Sequence, residues 1–465
     1  MLTYDLKKAP GLPLYESLYR HIRSDILSGA LPAGQKLPSK RALAAHLEVS
    51  KITVEAAYAQ LLSEGFITAR EKVGYFVEAV VTHQPHAPTP VPDLPEPPPQ
   101  GVDLTGGGPG TFPFSVWSRL QREVMLDYGE TLLRPLPNQG LLSLRRAITD
   151  HLAAFRDMTI SPENILIGAG TDFLYNLLIQ LLGRDKLYAT EDPGYGKIQK
   201  IYAAGGARCT PIPMDGDGPI PSALGDAQVL HISPSHHFPT GQVMPMQRRL
   251  ELLSWAAQGD NWIIEDDYDS EFRFHSRPKP AMHTLDRHGR VIYMNTFSKS
   301  LAPSIRISYM VLPPALMTVF REKLGFYSCT VPSFEQYTLE RFLSRGHFEK
   351  HINRMRKYYK NQRDRLLDLL DHSPIRDHIT ILEQDAGLHF LLKVDTQLDD
   401  PALLSRCADA GIRIHSLSHY YHGPVPEDAR HTLIVNYDRL TDDDLHQLQT
   451  ILQHQTFPRG EGGPP

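Results

Sequence analysis

MNTFSKSLAPSIRISYM, Met294 to Met310, sets one lysine, Lys299, between two serines at the end of an apolar run and follows it with Arg306 seven residues later. In isolation the stretch is a strand end, a polar turn and a solvated lysine. A reactive amine there would need partners, and the segments that supply them decide what fold surrounds it.

Those segments are other short apolar runs. NILIGAG, KLYATED, AQVLHISP, NWIIEDDY and VIYMNTFS each have the length and β-rich composition of a strand and end in polar or glycine residues. Helical patterns such as TDFLYNLLIQLLG, QRRLELLSWAAQ and LMTVFREKLG intervene. This βαβ rhythm predicts a mostly parallel sheet covered on both faces, with ligands beyond the carboxyl ends of its strands. At one such end Gly168-Ala169-Gly170-Thr171 opens a helix, where bare backbone N–H groups can approach an anion. At the next, PGYG presents the ring of Tyr195 on a rigid turn. A third carries Glu265-Asp266-Asp267-Tyr268-Asp269, and a carboxylate held there can keep a heterocyclic nitrogen protonated. The last offers Thr296, Ser298 and Arg306 to a phosphate and Lys299 to a Schiff base.

Composition bounds the rest. At 465 residues the chain exceeds one ordinary core, and 41% hydrophobic with 22% charged residues is the balance of a soluble globular protein. A net charge of −5 excludes a polycation, so any nucleic-acid contact must be local. Cys209, Cys329 and Cys407 are widely separated, which argues against a disulfide framework or a zinc ribbon and fits a reducing cytosol. No run approaches the roughly 18 apolar residues of a membrane span, and the expected location is cytoplasmic. The segment THQPHAPTPVPDLPEPPPQG lacks the apolar residues to form a core and predicts an extended linker over residues 81–101. It separates a small unit, residues 1–80, from a large one, residues 102–457, with PRGEGGPP expected to be a frayed tail.

The small unit reads helix, helix, helix, hairpin. Leu14, Leu18, Ile22 and Ile26 recur at helical spacing, Ser39 and Ser50 mark the starts of KRALAAHLEV and KITVEAAYAQLLSEG, and FITAREKVGYFV alternates around a charged turn with Gly74. Val54, Tyr58, Leu61 and Leu62 supply the inward face of the third helix. Tightly joined helices followed by a basic hairpin make a winged helix-turn-helix.

LPSKRALAAHLEVSKITVEAAYAQLLSEGFI resembles the DNA-binding module of GntR-type bacterial regulators, over about residues 12–78. The resemblance implies phosphate and base contacts from Arg41, Ser50, Lys51 and Thr53, with a wing at Lys72 and Gly74. It departs at Glu48, where the family has a turn glycine, and at Glu55, where many relatives carry an arginine. The large unit resembles the fold-type I aminotransferases. With its head and linker the whole is similar to the MocR subfamily, whose motifs EDDYDSEF and FSKSLAPSIR stand here.

By that resemblance the large unit takes pyridoxal 5′-phosphate, with Lys299 forming the imine and Asp266 pairing with the ring nitrogen. Tyr268 meets the ring hydroxyl, Tyr195 stacks, and Gly170, Thr171, Thr296, Ser298 and Arg306 cradle the phosphate. It also implies a head-to-tail homodimer. Phe238 stands where aminotransferases have the asparagine of Asn-Pro-x-Gly, and Ile434 aligns with their carboxylate-gripping arginine, with Asn436 on the same strand face. An aliphatic side chain cannot make a bidentate carboxylate pair. The expected function is therefore a transcription regulator that senses the cofactor or a small amine, the alternative being a working aminotransferase with an accessory N-terminal domain.

Overall fold

The computed structural model describes residues 2–6, 12–79, 101–108, 111–272, 279–383 and 387–453. The chain divides into two compact units, Met1–Pro97 and Pro98–Pro465. The expected linker, apart from Gly101, and the expected tail lie outside the described residues.

In the first unit the helices are Leu14–Ser28, Lys40–His46 and Lys51–Ser63. Leu18, Ile22 and Ile26 enter its core with Leu43, Val54, Tyr58 and Leu61, while Leu14 is left exposed and Leu62 is only partly covered. The second helix stops at His46, short of the expected Val49, because the backbone turns through a left-handed Glu48, φ 54°. Glycine adopts that conformation without strain, whereas a residue with a side chain, as Glu48, holds it at some cost. Ser50 then caps the third helix, its hydroxyl accepting from Thr53 N at 3.1 Å. Ile67–Arg70 and Gly74–Val77 pair antiparallel to form the wing.

In the second unit all five strand candidates are strands of one eight-stranded sheet. Across the sheet the order is Ile165–Gly168, Ser308–Val311, Val291–Thr296, Trp262–Asp266, Val229–Ile232, Leu187–Asp192, Arg208–Asp215 and Gly218–Pro219. The five strands from Val291–Thr296 to Arg208–Asp215 run parallel, and Ser308–Val311 runs against both of its neighbours. Both faces are covered, and the alternation of side chains shows it. Leu166, Ile292, Met294 and Met310 pack on Leu174, Leu178 and Phe320, whereas Ile165, Ile167, Tyr293, Tyr309 and Val311 pack on Leu144, Ile148 and Phe342. A separate antiparallel sheet is ordered Ile379–Leu382, His389–Val394, Thr432–Asn436, His415–Ser416. Among the described residues no helix is long and apolar enough to cross a membrane.

Candidate cofactor site and nucleic-acid interface

Register brings the predicted residues of the large unit to one sheet edge. Gly168 lies opposite Ser308 and Ser308 opposite Thr296, so three strands end side by side. Asp266 lies opposite Met294 on the next strand. Beyond Gly168 the chain turns through Gly170, φ 88°, and Thr171 opens the helix Thr171–Leu182. Arg306, itself left-handed at φ 51°, crosses this turn so closely that a Cβ at Gly170 would meet its Nη2 at 2.2 Å. Asp172 holds the same guanidinium at 3.3 Å and Lys197 at 2.8 Å. Thr296 Oγ1 accepts from Ser298 N at 3.1 Å and from Ser308 Oγ at 2.8 Å. The start of the helix Thr171–Leu182, the hydroxyls of Thr296, Ser298 and Ser308 and a guanidinium thus lie at adjoining strand ends, a set of groups suited to a phosphate.

Lys299 follows on the short helix Phe297–Ser300, its Nζ 3.4 Å from the buried Asp438 carboxylate. Asp266 is buried at the end of its strand. Its Oδ2 accepts from Tyr175 at 2.5 Å and lies 3.5 Å from His231 Nε2, while Oδ1 is buried without a partner. The acidic knot proves to face inward. Glu265 accepts from the backbone of Met282 and His283, Asp267 pairs with Arg156 at 3.0 Å, and Asp269 meets His236 at 2.8 Å.

Tyr195 and Tyr268 do not touch these groups directly; a chain of rings joins them. Tyr195, half exposed, meets Phe238 edge-on at 6.0 Å, Phe238 meets His389 at 5.3 Å, His389 meets His236 at 4.9 Å, and Tyr268 closes the series. Burial, then the neighbouring His236, and also the positive charge of Lys299 hold His389 well below the usual imidazole range. Burial pushes Glu191, below Tyr195, up to about 8, with the nearby Asp266 adding to the shift and the Ser233 amide opposing it. Ile434 is fully buried against Leu391, Leu417 and Phe238.

In the small unit Lys51 and Arg41 are exposed on and before the third helix, and Lys72, φ 59°, sits at the wing tip beside Gly74. Ser50 and Thr53 are partly committed to each other, their hydroxyls 2.8 Å apart, so their first task is capping. Glu55 is tied to Lys40 at 2.6 Å. Sequence reasoning missed Lys36, which bridges to Phe76 under the wing, and Ile52, which is 77% exposed beside Lys51. In the large unit it missed Tyr175, His231, Ser308 and Asp438. His231 and Asp438 reach the site through long-range packing and have no local motif to announce them, whereas Tyr175 and Ser308 lie close in sequence to Thr171 and Arg306.

A parallel-sheet unit with a lysine and an arginine at adjoining strand ends, preceded by a winged helix, has the architecture of a fold-type I aminotransferase domain behind a DNA-binding head. Comparison with known proteins agrees. Residues 14–77 match the family described as bacterial regulatory proteins, gntR family, and residues 101–440 match aminotransferase class I and II. The HTH-type transcriptional regulator YdeL of Bacillus subtilis is 37% identical, over 91% of this chain and 93% of its own length. The probable rhizopine catabolism regulatory protein MocR of Rhizobium meliloti is 33% identical over 91% and 90%, and the pyridoxine biosynthesis regulator PdxR of Corynebacterium glutamicum is 30% identical over 87% and 88%. Among solved structures, Pyrococcus horikoshii kynurenine aminotransferase superimposes with a TM-score of 0.65 at 26% identity, covering 77% of this chain and 91% of that one. The chain belongs to the MocR subfamily of HTH-type regulators, a gntR-family domain fused to an aminotransferase class I and II domain.

Proposed function

We propose that this chain regulates transcription by binding operator DNA through its winged helix, and that its aminotransferase-like unit binds pyridoxal phosphate at Lys299 and senses the cofactor or a small amine. The observation that carries the cofactor reading is the buried Asp266 carboxylate, one oxygen fixed by Tyr175 and the other left unpartnered. A protonated ring nitrogen would satisfy that oxygen, and an unpaired buried carboxylate is otherwise costly. The Gly170 turn fits as well, since any side chain there would collide with Arg306.

Gly170, Thr171, Thr296, Ser298 and Arg306 would hold the phosphate, Tyr195 and Tyr268 would flank the ring, and Asp266 would keep its nitrogen protonated. When bound, the cofactor supplies an aldehyde that captures primary amines and a conjugated ring that spreads charge. Ile434, packed against Phe238, offers no cation to a substrate carboxylate, which favours sensing over turnover. Phe114, Leu126, Leu133 and Phe326 are each about three-quarters exposed, and Phe114 shares a cavity with Arg306. A second copy covering these exposed apolar side chains would give the homodimer on which paired half-site recognition depends.

The purified protein is expected to be yellow and to lose its long-wavelength band on borohydride treatment, with the mass tag on Lys299. Lys299→Ala should abolish the tag. Retention of a covalently tagged cofactor in that variant would refute the assignment. The complete set of phosphate and ring residues is what favours the rival aminotransferase reading, and sustained turnover of an amino acid with a keto acid would support it.

A further inference from the structure

We infer that the ligand accepted beside Lys299 is a primary amine with an apolar body and no carboxylate on its amine-bearing carbon, and that Asp438 imposes this choice. The inference rests on the reading of Lys299 as the cofactor lysine.

Ile434 and Asn436 share one face of the strand Thr432–Asn436, and Asp438 follows two residues on, just beyond its end. Ile434, at the far end, is hydrocarbon against Phe238 and Tyr420. Asn436 commits both its backbone N–H and its Nδ2 to Leu104 O, at 3.1 and 3.2 Å. Asp438 comes last. Its Oδ2 accepts from Gly107 N at 3.1 Å and lies 3.4 Å from Lys299 Nζ, and its Oδ1 is buried without a partner. The series therefore runs from hydrocarbon through an amide whose N–H groups are engaged to a buried carboxylate beside the reactive amine.

Lys299 itself pairs with Asp438, and imine formation would take up that amine; two described arginines are engaged elsewhere. Arg439 and Arg413 both close on Asp103, at 2.6 and 3.0 Å. His389, opposite Asn436 in register, is held neutral by burial and by His236 and Lys299. A molecule bearing an α-carboxylate would bring a second anion toward Asp438, and the hydrocarbon of Ile434 offers it no cation in compensation. At a separation of about 5 Å and an effective dielectric of about 20, that repulsion is worth at most a few hundredfold in affinity. An incoming ammonium is drawn to the same carboxylate, and its hydrocarbon body can lie along Phe238, Tyr195 and Tyr420, whose rings meet edge to face.

Matched pairs differing only in the carboxylate provide the test. Full-length protein loaded with pyridoxal phosphate is titrated with 2-phenylethylamine against phenylalanine and with pentylamine against norleucine, following cofactor absorbance and thermal shift, with concentrations expressed as free base. Each amine should half-saturate at least about tenfold below its amino-acid twin, and Asp438→Asn should shrink that ratio to about threefold or less on the loaded fraction. Asp438→Glu, which keeps the charge, should preserve the preference. Amino acids binding as tightly as their amines, or a ratio unmoved by Asp438→Asn, would overturn the inference while leaving the cofactor assignment standing. Absence of cofactor loading in the wild type would remove both.

Discussion

At the residue scale, the large unit buries ionisable groups whose charge states are set by their surroundings. Glu191 is raised to about 8 by burial, and Glu271 to about 8 by burial and the adjacent Asp267. An unfolded glutamate titrates near 4.3, so between about pH 4 and 8 the native state binds protons that the unfolded state has released. The stability these groups contribute is full below the unfolded value and is lost as pH rises through about 8. His237 gives the opposite arm. Burial, with His236 adding, lowers it to about 3, so its contribution is present above the unfolded imidazole value and is lost as pH falls through about 3. Glu191→Gln, which can still accept from Ser233 N, should remove one of the two glutamate contributions to the alkaline arm, each worth up to about 1.4 kcal/mol per pH unit, and leave the acid arm in place. Urea unfolding of the large unit from pH 5 to 9 measures this. An alkaline arm identical to that of the wild type would show that Glu191 is not held protonated.

At the element scale, the third helix of the small unit presents its N-terminal turn, with the exposed Lys51 and, just before the turn, a cap already satisfied by Ser50. Phosphate is attracted to such a terminus by free N–H groups and the helix dipole. Lys51→Ala or Arg41→Ala should weaken operator binding at low salt and reduce the slope of log affinity against log salt by about 0.9 each, since each removes one counterion-releasing contact. Cofactor absorbance should not move. An unchanged slope in the double variant would take these residues off the DNA.

Elements also show what could be read in advance. Five strands of the large sheet were legible because each is an apolar run that stops at a polar residue, and the helices between them carry plain periodicity. Ser308–Val311 was missed as a strand, being entered through the left-handed Arg306 with no glycine turn to mark its start. The second helix was read too long because the turn at position 48 is made by a glutamate, a residue that by itself does not mark a left-handed turn as glycine would. Lys299, Asp266, Gly170 and Arg306 were legible because motif and strand end coincide. Asp438 was not, since it meets Lys299 across 139 residues of chain by packing alone.

At the scale of the whole molecule, one chain joins a gntR-family unit and an aminotransferase-like unit, and the central claim of the proposed function is that occupancy at Lys299 is felt at the operator. Coupling of this kind is a free energy, commonly about 1 to 3 kcal/mol, and must be reciprocal: whatever factor the ligand imposes on DNA affinity, DNA imposes on the ligand. A ligand with equal affinity for both states shifts nothing. The direct measurement is operator affinity of the full chain with and without pyridoxal phosphate, for wild type and for Lys299→Ala, at fixed salt. The account predicts that the cofactor changes wild-type affinity by at least about fivefold, that operator DNA changes cofactor affinity by the same factor, and that Lys299→Ala shows neither change. Wild-type operator affinity indifferent to the cofactor, in protein that carries it on Lys299, would contradict the claim.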